Sequence, residues 1–370
     1  EAAYHKGLSL EETGRHTDAI EAFDAALHQM PRSAGIWINR GKVFLSLKKN
    51  NDAIESFVKA LEIEYSNPDA WFFKGTALFA LKNYEDAIEA FNKALEIRPD
   101  YADAFLQKGR ALSSIRMYEQ AVTAYDNALA IRPGHLDALE QKGRALIHLS
   151  RYSLAVTSLN EALRARPNLA SLWVVKGIAL SRAGDTGEAV SCFNKALSIN
   201  SREIAALYHR GVAYFTLGRY QESIRNLDTV LTQKPDCADA SFYKGRALME
   251  LSMFPEAADA FDAANRKRDG KFPESLVYKG IALLNLNRYD DALLEFNRTI
   301  TIDPTITEAY LQKGITLSHL GRYDEALEAY SEAESLTPEN PRISYQIGLA
   351  YESRKEYARA LEAFDAAVRL

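Results

Sequence analysis

Residues 102–135 read ADAFLQKGRALSSIRMYEQAVTAYDNALAIRPGH, and this stretch contains the pattern that decides the fold. Apolar residues recur at helical spacing on both sides of a polar break near Arg116–Glu119. With Ala102 as position 1, the pattern predicts two antiparallel helices at approximately positions 1–14 and 18–31. Gly109 falls inside the first helix, where glycine costs about 1 kcal/mol relative to alanine, so a packing reason for it is expected.

The same pattern recurs along the whole chain. Position 8 is glycine in eleven units, and successive glycines are 34 residues apart except for the 35-residue step from Gly245 to Gly280. These glycines are Gly7, Gly41, Gly75, Gly109, Gly143, Gly177, Gly211, Gly245, Gly280, Gly314 and Gly348. Position 20 is alanine in all units but one, position 24 is always bulky, position 27 is mostly alanine, and position 32 is often proline. The repeat therefore predicts stacked helical hairpins that bury a shared core.

These columns also predict how the hairpins pack. Small residues at positions 8, 20 and 27 are expected to let the two helix backbones approach, while the position-24 side chain fills the groove between neighbouring units. Gly14, Gly184, Gly218 and Gly321 lie at the polar break, where a left-handed residue is expected to end the first helix. The single longer unit predicts a lengthened turn at 265–271.

Trp37, Trp71 and Trp173 add a further column at position 4. With these columns, the chain resembles the tetratricopeptide repeat family over essentially its whole length. The resemblance implies an all-α fold, an α-solenoid in which antiparallel helix pairs form a right-handed superhelix with a concave groove lined mainly by first helices. It also implies a scaffold that binds a peptide or protein. A single solenoid is expected over 1–370, with repeats at approximately 1–33, 34–67, 68–101, 102–135, 136–169, 170–203, 204–237, 238–272, 273–306, 307–340 and 341–370.

Composition narrows the choice of partners and location. The net charge is only −5 and no basic stripe is present, so a nucleic-acid partner is disfavoured. No apolar run approaches the roughly 18 residues of a membrane span, so no membrane partner is expected. Cys192 and Cys237 lie 45 residues apart without metal or redox spacing. They suit a reducing compartment, and we expect the protein to be cytoplasmic.

Motifs for catalysis are missing from the sequence. The seven histidines show no metal-ligand spacing. The nearest approach to a phosphate loop, Gly35–Val43, has five residues between its glycines instead of four and includes Trp37 and Gly41 of the repeat. The sequence therefore predicts a protein that is not an enzyme and needs no metal or cofactor.

Candidate binding residues lie on the first helices, where positions 2, 5, 9, 12 and 13 are expected to face the concave side and differ between units. The candidates are Ile38, Leu45, Phe72, Phe79, Arg110, Arg144, Arg182, Tyr208, Phe215, Phe242, Arg246 and Met249. Two apolar groups flank a cationic one, which suits an extended or helical peptide with acidic residues. Arginine supports this hypothesis because its planar fork binds carboxylates bidentately.

Two structural alternatives compete with this hypothesis. Asp103, Asp137 and Glu140 are close enough in the pattern to pair with Arg110 and Arg144 in a solvated ladder, worth about 0–1 kcal/mol per pair. The aromatic residues at position 5 are alternatively covered by the neighbouring repeat. The lysines that precede the repeat glycines are expected to be solvated or to extend along the surface.

Some members of the family hold a C-terminal carboxylate with lysine and asparagine on their first helices. Here position 5 carries no lysine and position 9 no asparagine, so a receptor of that type is disfavoured.

The chain ends give two further expectations. The C-terminus stops in the second helix of a unit, and Ala2 and Ala3 stand where a first helix begins. Because solenoids need polar terminal caps, we expect a fragment of a longer protein with end-to-end self-association through the terminal repeats. An alternative function is therefore the repeat region of a larger enzyme or signalling protein.

Overall fold

A computed structural model describes residues 1–370 and contains 22 helices, which group into two units, Glu1–Asp185 and Thr186–Leu370. The first unit contains α1 (Ala2–Glu12), α2 (His16–Gln29), α3 (Ala34–Ser46), α4 (Asn50–Ile63), α5 (Pro68–Ala80), α6 (Tyr84–Ile97), α7 (Ala102–Ser114), α8 (Tyr118–Ile131), α9 (Leu136–His148), α10 (Tyr152–Ala165) and α11 (Ala170–Ala183). The second unit contains α12 (Thr186–Ile199), α13 (Ile204–Thr216), α14 (Tyr220–Gln233), α15 (Ala238–Glu250), α16 (Phe254–Arg266), α17 (Pro273–Asn285), α18 (Tyr289–Ile302), α19 (Thr307–His319), α20 (Tyr323–Leu336), α21 (Pro341–Ser353) and α22 (Tyr357–Arg369). The predicted all-α fold of helix pairs is confirmed, whereas a single solenoid over the whole chain stays a prediction.

A left-handed residue separates the two helices of each repeat. The predicted Gly14, Gly184, Gly218 and Gly321 all have positive φ. The other repeats place a non-glycine residue at the same point, such as Arg116 with φ 63°. Because this residue cannot continue a right-handed helix, the chain reverses there whatever its side chain.

Helix starts follow the local sequence. The Asn67 side chain accepts hydrogen bonds from the backbone N–H groups of Asp69 and Ala70 at the start of α5. Asn340 accepts one from Arg342 N–H at the start of α21. In both cases proline occupies the first helical turn, where its missing N–H is harmless.

The longer repeat closes through a rebuilt turn. After α16, Asp269 and Gly270 both have positive φ, and the buried Asn265 amide oxygen accepts a hydrogen bond from Phe272 N–H at 3.1 Å. Lys267 donates to Ser241 at 2.7 Å. The predicted lengthened turn is therefore present, and one of its basic residues is used in packing.

The repeat glycines pack against the position-24 side chain of the same repeat. A Cβ atom on Gly109 would lie 2.4 Å from a ring carbon of Tyr125, and one on Gly41 would lie 2.5 Å from Phe57. Both rings are fully buried. The prediction that position 24 fills a groove between neighbouring units was therefore incomplete, because the ring occupies the space above the glycine of its own repeat.

Consecutive first helices contact each other within each unit, as α5 contacts α7 and α15 contacts α17, whereas consecutive second helices do not. First helices are therefore the more closely spaced layer. In each unit, we call the surface formed by first-helix positions 2, 5, 9, 12 and 13 the first-helix face.

Candidate ligand-binding face

In the first unit, the candidate aromatic residues are half-buried and partly used in packing. The Phe72 ring centroid lies 4.9 Å from Tyr101 and 6.0 Å from Phe91 in its own repeat, and Phe72 also packs against a core cluster that includes Ala104 of the next repeat. Phe79 lies 5.4 Å from Tyr84. Inter-repeat packing, the structural alternative, therefore accounts for part of the Phe72 surface.

The two aliphatic candidates of this unit differ. Leu45 is half-buried and retains accessible surface. Ile38 is only 7% exposed and packs in the core with Phe57 and Ala70, so it offers little surface to a ligand. The exposed fraction of a position-5 side chain therefore depends on which side chains of the next repeat pack against it.

Two of the three candidate arginines of the first unit, Arg110 and Arg144, face carboxylates. Arg110 lies 3.7 Å from Asp137, and Arg144 lies 2.8 Å from Glu140 one helical turn earlier. Asp103 pairs instead with Arg132 and His135. The ladder considered as an alternative is therefore present for both arginines, although Asp103 is not part of it.

Arg182 is exposed and forms no ion pair within 4.0 Å. Burial lowers the pKa of His148, and the positive charges of Arg182 and Arg116 lower it further. His148 stacks on Tyr118 at 4.4 Å. Arg182 therefore keeps a charge available to an anion, whereas Arg110 and Arg144 already face one.

We expect Arg110→Ala to lower the free energy of unfolding by less than about 1 kcal/mol, because its ion pair is long and solvent-screened. Urea denaturation followed by circular dichroism measures this change. Asp137→Asn is the matched control and should have an equally small effect. A loss of several kcal/mol for either variant would contradict this interpretation.

In the second unit, the candidate residues form a connected aromatic surface. Tyr208, Phe215, Phe242 and Met249 are all half-buried on first helices. The Tyr243 ring lies between them, with centroid distances of 6.3 Å to Tyr208, 6.0 Å to Phe215 and 5.8 Å to Phe242. Burial raises the pKa of the Tyr208 hydroxyl well above its ordinary value. This surface is therefore more continuous than the sequence indicated.

Sequence reasoning missed Tyr243 and Tyr278. Both stand at position 6, immediately after the position-5 residue of their first helix. Tyr278 lies 5.5 Å from Phe242, and both tyrosines are half-buried. The aligned repeats contained a signal for these residues, because position 6 is aromatic in three repeats, as Phe73, Tyr243 and Tyr278.

Arg246 lies among four of these rings. Its guanidinium carbon is 4.6 Å from the Phe215 centroid, 5.5 Å from Tyr278, 5.7 Å from Tyr243 and 5.9 Å from Phe242. No carboxylate oxygen lies within 4.0 Å of it. Arg246 thus shares position 9 with Arg110 and Arg144 but is held by aromatic faces instead of an acidic side chain.

The lysines before the repeat glycines have a structural role that was not expected from the sequence. Lys142 pairs with Asp126 at 2.6 Å and Lys244 with Asp228 at 2.6 Å, in each case across consecutive repeats. These lysines therefore extend along the surface, the second of the two expectations, and end on a carboxylate of the preceding repeat. Position 7 of one repeat meets position 25 of the preceding one, which links neighbouring hairpins.

A cavity of about 410 Å³ opens on the first-helix side next to the aromatic surface. Val277, Tyr278, Ile281 and Ile306 supply its apolar walls. Arg342 and Glu308, which also line it, form an ion pair at 3.2 Å. An apolar cavity with few polar groups is the kind of site that takes a side chain of a ligand.

The structure contains neither a cluster of metal ligands nor a helix that could cross a membrane. No group of three or more His, Cys, Asp or Glu side chains is placed to hold a metal ion. None of the 22 helices combines the length and the apolar character that crossing a membrane requires.

Stacked helix pairs with a variable first-helix face define a repeat scaffold. The family model for the tetratricopeptide repeat matches residues 1–35, 38–102, 103–170, 174–225, 213–271, 254–305 and 311–370. The chain therefore belongs to the tetratricopeptide repeat family, as the sequence predicted. Its family and fold are those of protein-interaction scaffolds, which are generally not catalytic.

Two solved structures with TM-scores of at least 0.50 show the same fold. The chain is similar to a tetratricopeptide repeat protein from Parabacteroides merdae, with 21% identity, a TM-score of 0.52 and coverage of 63% of this chain and 92% of that one. It is also similar to the APC/C hetero-tetramer Cut9–Hcn1, with 15% identity, a TM-score of 0.50 and coverage of 99% and 86%. MamA shares 27% identity, with a TM-score of 0.41 and coverage of 43% and 92%. No curated protein matches the chain.

Proposed function

We propose that the chain is a non-catalytic scaffold that binds a peptide or protein segment along the first-helix face of its repeats. The half-buried aromatic surface of Tyr208, Phe215, Phe242 and Tyr243 carries this proposal. Large rings that are already ordered by packing offer apolar contact area at a small entropic cost, and such residues dominate binding energy at interfaces.

The first-helix face suits a segment better than a small molecule. Its apolar side chains are spread over consecutive helices, from Tyr208 on α13 to Ile281 on α17, and do not surround one enclosed space. An extended or helical segment places side chains at intervals along such a face. The core positions are nearly the same in every repeat, whereas the residues of the first-helix face differ. The residues of this face therefore determine which segment binds.

Selection of a phage-displayed random peptide library on the full chain tests this proposal. Peptides that bind the wild type are measured by fluorescence polarisation against Phe79→Ser and Met249→Ser, both on the first-helix face. We expect at least one of these substitutions to weaken binding by about tenfold, the effect of losing about 1.4 kcal/mol.

Leu154→Ser and Leu294→Ser are the matched controls, because these leucines are 54% and 57% exposed on second helices. They should change affinity by less than about twofold, since a surface substitution away from the interface costs little. Failure to enrich any peptide, or equal losses in face variants and controls, would sink the proposal. Circular dichroism confirms that each variant is folded.

A further inference from the structure

The environment of Arg246 and the adjacent cavity together specify the segment that the second unit takes. The inference rests on the proposed function, because it names the ligand for the same face. The geometry points to a polypeptide segment with an acidic side chain that pairs with Arg246 and a nearby aliphatic side chain that enters the cavity walled by Val277, Tyr278, Ile281 and Ile306.

The Arg246 guanidinium has no anionic partner within the protein. Its guanidinium has five N–H donors, and none donates a hydrogen bond to a protein acceptor. Four ring centroids lie 4.6–5.9 Å from the guanidinium carbon. Rings stabilise the charge but accept no strong hydrogen bond, so a half-buried guanidinium in this setting favours an anionic partner with two oxygens.

Arg110, at the same repeat position, has the carboxylate partner that Arg246 lacks. Arg110 at the same position lies 3.7 Å from Asp137, which is position 2 of the next repeat. The residue in the matching place beyond Arg246 is Glu274, and it lies outside ion-pair distance. The first unit thus supplies a carboxylate to Arg110, whereas the second unit supplies none to Arg246, which stays available to a ligand.

The second feature is the position of the cavity. Tyr278 connects the two features, because its ring lies 5.5 Å from the Arg246 guanidinium carbon and also lines the cavity. A bound segment therefore meets Arg246 and the cavity in succession. The cavity measures about 410 Å³, and its apolar walls favour an aliphatic side chain over a second charge.

The charged residues that line the cavity determine where the acidic side chain of the ligand binds. Glu274 and Glu308 line the cavity with one cation, Arg342, which already pairs with Glu308. An acidic ligand group is therefore repelled at the cavity and attracted at Arg246. Glu274 adds a negative charge to the cavity rim without pairing with Arg246, so its removal should strengthen the binding of an acidic segment.

The test uses peptides selected from the random library on the full chain. We expect them to share Asp or Glu at one position and Leu, Ile or Val at a fixed distance from it. Arg246→Met, which keeps the apolar stem against the rings, should weaken binding by about tenfold or more. Arg246→Lys should also weaken it, because lysine lacks the planar fork.

A double-mutant cycle identifies the contact. Replacing the peptide's acidic residue by its amide should weaken binding to the wild type but cause little further loss with Arg246→Met. Glu274→Gln should raise affinity, because it removes a negative charge from the cavity rim. Ile281→Ala should lower the affinity for peptides that carry the aliphatic residue. It should not change the affinity for peptides in which alanine replaces that residue.

The outcomes separate the two proposals. If selected peptides lose affinity with Met249→Ser but bind Arg246→Met and Arg246→Lys as tightly as the wild type, the first-helix face binds and the Arg246 assignment is overturned. If the library enriches no peptide, both proposals fail. Enrichment of basic instead of acidic residues would also overturn the assignment.

Discussion

Replacing Lys279 by methionine should lower the local stability of α16–α18 by about 3 kcal/mol, because it removes one of the two cations that pair with the buried Glu295 carboxylate. The Glu295 side chain is only 6% exposed, and Lys279 Nζ lies 2.9 Å from it and 2.7 Å from Asp262. Arg298 remains near Glu295 at 3.0 Å and limits the loss. Hydrogen–deuterium exchange of the α16–α18 amides measures the effect, since neighbouring repeats open locally.

The sign of the pH dependence fixes the conditions for this measurement. Burial by itself lowers the pKa of Lys279, but the hydrogen bonds from Lys279 to Asp262 and Glu295 outweigh it, and the pKa is raised. A raised pKa stabilises the fold fully below the unfolded value of about 10.4, and this contribution is lost as the pH rises through the folded value. At pH 7 the full contribution is present.

The sequence supplies the rescue variant for this prediction. Position 23, which holds Glu295, is alanine in several repeats, for example Ala90, Ala124 and Ala260. The double variant Lys279→Met with Glu295→Ala should therefore recover most of the loss, because no buried charge remains. If the single variant exchanges at the wild-type rate, or the double variant is less stable than the single one, the ion-pair explanation is wrong.

Substitution of Gly109 by alanine should destabilise the fourth repeat by about 2 kcal/mol, even though alanine is the better helix former by about 1 kcal/mol. The new Cβ would lie 2.4 Å from a Tyr125 ring carbon. That ring is fully buried, and its hydroxyl is 3.1 Å from Ser113 Oγ, so it has no free direction in which to move. Amide exchange in α7 and α8 reports the change.

Two other glycines provide graded controls. A Cβ on Gly211 would lie 3.0 Å from a Leu227 side-chain carbon, and leucine adjusts more easily than a fixed ring, so Gly211→Ala should cost less. Gly35 has no atom within 4 Å of such a Cβ and has no positive φ. Gly35→Ala should therefore stabilise α3 by about 0.5 kcal/mol. A stabilising effect of Gly109→Ala would contradict the packing account.

Local signals in the sequence predicted the repeat, the helix pairs and the turns. Helical periodicity and the reversal near Arg116 depend on residues close in sequence, so the eleven aligned units were enough to define them. The aligned glycine column also predicted that a packing reason exists. Only the structure shows that the Tyr125 ring is the side chain that packs against this glycine, because several bulky side chains compete for the same space.

Only the tertiary structure separated residues that look equivalent in the aligned columns. Arg110 and Arg246 share position 9, yet one faces Asp137 and the other lies among the rings of Phe215, Tyr243 and Tyr278. Ile38 and Phe242 share position 5, yet Ile38 is buried in the core and Phe242 stays half-buried on the first-helix face. The sequence determined the hairpins because helix and turn formation are local. The exposure and charge partner of each side chain depend on the neighbouring repeat, and that contact exists only once the hairpins have stacked.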